Sequence, residues 1–201
     1  MNKTRKGPGD AEPYGLTRRE LAAAGMGLST AAALAPAAAN ARSGSQRISP
    51  SLEDRAGIQD LFVRYLWSYD CTDEDEFLSL FSDDPLVVGR GTNYRGKVAI
   101  LGWFRYLIAM REREGDDIWM HEAGQFRFVP QGSSCIVYAY ATHFNANAAR
   151  ATRGVRSLGY FVCECIKERG EWQFRRMSIS TWDRNKLPWK KPLPWAEADN
   201  G

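Results

Sequence analysis

The chain has 201 residues, with 27 lysines and arginines against 24 aspartates and glutamates, a formal net charge of +3. A quarter of the residues are charged and 44% are hydrophobic, a balance that excludes a disordered polar chain and suffices for one packed domain. The first 41 residues hold five of the 27 basic and three of the 24 acidic side chains, which leaves 22 against 21 and no cationic stripe of the kind that holds nucleic acid.

The stretch LTRRELAAAGMGLSTAAALAPAAANA opens on Arg18 and Arg19, continues as an Ala/Gly/Leu run and ends at Ala39-Asn40-Ala41. That order of charged, apolar and small residues is the order of an export signal. Its Thr-Arg-Arg-x-x-Leu opening resembles a twin-arginine signal, which implies an exported, periplasmic protein cut after Ala41. The apolar run is too short for stable membrane insertion. Residues 42–50 read as a linker.

Ser51, with Asp54 three residues on, opens a helix in the manner of a capping box. Ile58, Leu61, Phe62, Tyr65, Leu66 and Tyr69 then fall at i, i+3, i+4, i+7, i+8 and i+11, one apolar stripe that runs to about Asp70. Asp70 lies at the edge of that stripe, and a carboxylate there needs a partner. A short helix over about 73–81 follows, offering Phe77, Leu78, Leu80 and Phe81 for packing. PLVVGRG reads as a strand and a glycine turn, and GKVAILGWFRYLIAMRERE as a third helix closed by Gly115.

Beyond it the period changes to two. WMHEAGQFRFVP, SCIVYAYATHFNAN, SLGYFVCECIKE and EWQFRRMSISTWD are four strand-like runs. PQGSS and ERGE join them as hairpins, and ANAARATRG as a longer polar loop. Helices followed by long strands predict an α+β fold, N-terminal helices packed in a curved antiparallel sheet, over residues 51–185. The tail, 186–201, is Pro- and Trp-rich and should run extended, with Trp189 and Trp195 packed on the body or on a second subunit.

Cys71, Cys135, Cys163 and Cys165 are the cysteines. Cys163 and Cys165 share one strand face and are too close in sequence to bridge easily. No histidine cluster completes a metal site, so buried structural thiols and no metal are expected. No phosphate-cradling glycine loop or nucleophile elbow occurs, and no cofactor is expected.

Two histidines are present, His121 and His143. His121 shares a strand face with Trp119 by alternation. Asp70 and His121 would make an orienting carboxylate and a general base working near neutral pH; a solvated aspartate and a satisfied core histidine are the plainer alternative. Three stretches, IQDLFVRYLWSYDCTDEDEFLSLFSDD, the H-x-x-G of MHEAGQF and RGEWQFRRMSIS, together resemble the SnoaL-like, scytalone dehydratase-like branch of the NTF2-like superfamily. The resemblance implies a cone around one hydrophobic pocket, in which Asp70 of the first helix meets His121 of the sheet.

Tyr69 and Tyr65 match tyrosines one and five places before the aspartate in relatives of that group, and either would donate a proton or a hydrogen bond, or serve as core. A second water-holding tyrosine falls at Gly89 here and is lost. The family's second histidine and its asparagine have no equivalents in register, and His143 and Asn145 on a neighbouring strand would substitute. Trp119, Tyr140 and Phe144 offer aromatic walls. Arg176 would reach a phenolate or carboxylate, or lie on the outer sheet face.

These features point to a cofactor-independent lyase, a dehydratase or related elimination that includes carbon–carbon cleavage releasing formaldehyde. Its substrate would be a hydrophobic, aromatic small molecule. A homo-oligomer, dimer or trimer, is expected. A ligand-binding protein of the cell envelope without catalysis, or an isomerase or cyclase using the same pair, fits the same residues.

Overall fold

Ser51 caps the first helix, α1 (Leu52–Asp70): its hydroxyl accepts the Asp54 amide at 3.0 Å. The computed structural model describes residues 49–89, 91–115 and 118–196, so the export signal and most of the linker read from the sequence lie outside the described residues. The stripe buries as its spacing requires, with Ile58, Leu61, Phe62, Tyr65, Leu66 and Tyr69 all inside. Asp73 caps α2 (Glu74–Ser79), which is shorter than read because Leu80 already leaves the helix and Phe81 begins a strand.

Strand β1 (Phe81–Gly89) turns back on β2 (Thr92–Arg95), a hairpin inside what read as a glycine turn. Helix α3 (Gly96–Glu114) ends at Gly115, whose φ of 66° is the left-handed cap that glycine adopts without penalty. Four long strands follow: β3 (Ile118–Gln131), β4 (Ser134–Asn147), β5 (Thr152–Glu168) and β6 (Glu171–Thr181). The sheet order is β2-β1-β6-β5-β4-β3.

The four long strands pair antiparallel, as their hairpin breaks required. β1 joins β6 in parallel, so the sheet is mixed. A parallel neighbour needs a long crossover, and here α3 and four strands supply it. The stretch read as a loop over 146–154 is mostly strand. Only four residues separate β4 from β5, with Ala151 at φ 52° and the Arg150 amide held by the Asn147 side chain.

Bulges decide which side chains face inward. Trp119, His121 and Ala123 point to the concave face, as alternation predicts. An extra residue between Gly124 and Arg127, with Gln125 at φ 52°, then shifts the phase, so that Phe126 and Phe128 join the same face. The helices pack into this concave side around Phe62, Phe104, Phe161 and Phe174. On the convex side Leu86, Ile136, Tyr138, Tyr160 and Val162 form a second cluster, covered by Trp195 at 3% exposure. The tail thus packs on its own sheet, with Trp189 edge-on to Tyr138 and under the Arg127 guanidinium.

Cys135, Cys163 and Cys165 are buried free thiols, with burial pushing the last two well above their ordinary range; Cys71 departs from the expectation and is exposed just past the end of α1. Among the described residues no group of three or more His, Cys, Asp or Glu is arranged to hold a metal, and no helix is long and apolar enough to cross a membrane.

A second bulge makes a charge cluster. Glu164 opposes Arg176 and Cys165 opposes Phe174, leaving Arg175 as the extra residue beside Arg176. Both guanidinium groups therefore reach the one buried carboxylate, Arg175 Nε at 3.0 Å and Arg176 Nη1 at 2.5 Å. Burial raises the Glu164 carboxyl, and the two arginines more than reverse this, leaving it below the ordinary value. A lowered carboxyl stabilises the fold above the unfolded value, about 4.3, and that contribution is lost as the pH falls through the lower folded value. Glu164→Gln should therefore cost about 2 kcal/mol at pH 7 and progressively less as the pH falls below the unfolded value, read as urea midpoints across that range.

Candidate active site

Asp70, the last residue of α1, meets His121 near the start of β3. One carboxylate oxygen lies 2.6 Å from the imidazole Nδ1, and the other accepts the main-chain amide of His121 at 2.8 Å. The side chains are 12% and 18% exposed. An ionised carboxylate only accepts hydrogen bonds, so Nδ1 is the donor and Nε2 keeps the lone pair of the neutral ring. The two bonds fix both the tautomer and the ring orientation. The partner that Asp70 required is this imidazole.

A third element holds the aspartate. Arg111 of α3 donates from Nη1 to the Asp70 carbonyl at 3.1 Å and from Nη2 to the Thr72 hydroxyl at 2.7 Å. The last turn of α1 contains no basic residue, and a carboxylate at the negative end of a helix is unfavourable. Arg111 supplies the missing cation from outside and pins Thr72, whose φ is 63°. Arg111→Met should lower turnover about tenfold through loosened placement of Asp70, with Arg111→Lys recovering part of it in a kcat measurement.

His121 borders a cavity of about 350 Å³, and Asp70 holds the imidazole from behind the lining. Tyr65, Tyr69, Trp103, Leu107, Phe161 and Trp119 are among the residues of the cavity wall, with His121 and His143 side by side. The two imidazole rings stack at 4.4 Å between centroids, Trp119 lies 4.2 Å from His143, and Tyr69 lies 5.0 Å from His121. Desolvation, foremost, holds the Tyr65 phenol well above its ordinary range, so it stays protonated and keeps an O–H to donate.

The structure therefore brings together Asp70, His121, Tyr65, Tyr69, Trp119 and His143. It does not bring Tyr140, Phe144 or Arg176 to the cavity. Alternation from Ala141 and His143 turns Tyr140 and Phe144 to the convex face, where Tyr140 packs on Trp182. Arg176 is on that face with Glu164. Asn145 shares the phase of His143 and opposes Trp119, but it lies farther along β4 and outside the cavity lining.

Sequence reasoning overlooked the contribution of α3 through Leu107, Met110 and Arg111, although its period was legible. It also overlooked Arg156 and Ser157, which read as loop or strand start.

Helices packed into the concave side of a curved mixed sheet, with a carboxylate at the end of the first helix bonded to a sheet histidine, define an α+β protein of the NTF2-like, cystatin-like fold. The chain belongs to the SnoaL-like domain family, whose sequence model matches residues 50–178.

Solved structures share the fold. A candidate aromatic ring hydroxylase from Novosphingobium aromaticivorans is 21% identical, with a TM-score of 0.57 over 67% of this chain and 93% of that one. An NTF2-like protein with a cystatin-like fold from the same organism is 21% identical, with a TM-score of 0.56 over 66% of this chain and 84% of that one. A candidate scytalone dehydratase, also from that organism, is 15% identical, with a TM-score of 0.54 over 71% and 97%. No curated protein matches the sequence.

Proposed function

We propose that this protein is a cofactor-independent lyase that eliminates a small group from a hydrophobic, aromatic molecule. The observation that carries this reading is His121 on the wall of an apolar cavity, doubly bonded from behind by Asp70. Nε2 of His121 removes a proton from an activated carbon or a hydroxyl, and the fixed carboxylate stabilises the imidazolium that results. Tyr65 or Tyr69 donates to the departing or enolising oxygen, after which water, halide or formaldehyde leaves. Enclosure by Trp103, Leu107 and Phe161 keeps bulk water from competing. An isomerase or cyclase would use the same proton transfer without a leaving group. Export to the periplasm and a homo-oligomeric state belong to the same proposal.

The test is a panel of phenolic compounds with hydroxyl, halide or hydroxymethyl groups beside an acidic C–H, followed by mass spectrometry. Loss of water, hydrogen halide or formaldehyde with the wild type and not with His121→Ala supports the lyase. Binding of panel members with no mass change by either protein would make it a carrier.

A further inference from the structure

We infer that the substrate of this site is an aromatic anion, recognised at the cavity mouth by Arg156; the inference rests on the proposed use of the cavity and names the class of molecule that enters it.

The mouth is legible from exposure. Tyr65, Tyr69, Phe161 and His143 at the inner end are buried, whereas Arg156, Ser157, Leu158, Ile179 and Thr181 are exposed although they line the same cavity. Arg156 stands there because of a bulge. His143 opposes Ser157 and Phe144 opposes Val155, so Arg156 is the extra residue, and a bulge turns a side chain out of the regular alternation. Among the described residues lining this cavity it is the only lysine or arginine.

Two contacts hold the guanidinium in place. Its carbon sits 5.9 Å above the Trp119 ring, and one nitrogen pairs with Glu114 at the end of α3. Trp119 also touches the other end of the site, with centroids 5.7 Å from His121 and 4.2 Å from His143. A flat molecule lying along Trp119 would therefore reach the imidazoles with its reacting end and Arg156 with its far end. A planar guanidinium matches a carboxylate or phenolate at that far end. Arg176, the cation that the sequence suggested for this role, is committed to Glu164 on the opposite face. Glu114 competes with the ligand for Arg156, so its charge should oppose binding.

The experiment compares 2-naphthoate with 2-naphthamide, isosteric probes that differ in charge, by quenching of tryptophan fluorescence in the full-length protein at pH 7 and low salt. The acid should bind about tenfold more tightly than the amide, with the preference falling as salt is added. Arg156→Gln should remove the preference and Arg156→Lys should keep part of it. Glu114→Gln should raise acid affinity about threefold. Arg156 is exposed on a strand held by main-chain pairing, and retained binding of the amide by the variants reports that the cavity is intact. A preference that survives Arg156→Gln, or acid affinity that falls in Glu114→Gln, overturns the assignment. Equal binding of acid and amide by the wild type overturns it and leaves the lyase reading standing, whereas failure of both probes to bind overturns both.

Discussion

Asp70→Asn and His121→Ala should each lower kcat about 10²- to 10⁴-fold and leave the fold intact. The amide of an asparagine is nearly isosteric with the carboxylate, but it cannot accept on both sides. The main-chain amide of His121 needs one acceptor and Nδ1–H needs another. The main-chain N–H can only donate and keeps the one oxygen, so the amide nitrogen faces the ring and donates to Nδ1. The ring then favours the tautomer with its proton on Nε2, where it cannot act as a base. Both side chains are partly exposed, at 12% and 18%, outside the packed interior, so thermal unfolding should shift little. Turnover retained in both variants would remove the proton-transfer reading altogether.

Phe62→Ala should destabilise the domain by about 3–5 kcal/mol, a large part of a typical domain's stability. Phe62 is 1% exposed and stands edge-on to three rings, Phe126 of β3 at 5.2 Å, Phe161 of β5 at 5.5 Å and Phe174 of β6 at 5.1 Å. It therefore joins α1 to three strands at one point. Truncation leaves a void bounded by aromatic faces that cannot collapse onto it, which is the costly case. A urea titration should show a lower midpoint. Because Phe62 lies two turns before Asp70 on the same helix face, turnover should fall at lower temperatures than in the wild type. An unchanged midpoint would mean that α1 is held chiefly by its other contacts.

Much of this molecule follows from local chemistry alone. The stripe from Ile58 to Tyr69 required a buried face, Ser51 and Gly115 set helix ends, and alternation put Trp119 with His121. Helical phase brought Asp70 to the edge of that face and so demanded a partner. These features depend on periods of 3.6 and 2 and on caps, which are properties of neighbouring residues.

Tertiary structure decided what bulges and crossovers decide. Local sequence does not announce an extra residue in a strand, yet three of them set which side chains share a space: Gln125 returns Phe126 and Phe128 to the concave face, Arg175 joins Arg176 on Glu164, and Arg156 turns into the cavity mouth. Strict alternation gave no way to see that Arg176 faces away from the cavity beside Glu164 while Arg156 lines it. Nor could it bring Arg111 of α3 to the end of α1, because that contact spans 41 residues and exists only once the helices are packed. Short-range periodicity fixes the face of each element, and long-range pairing fixes which faces meet.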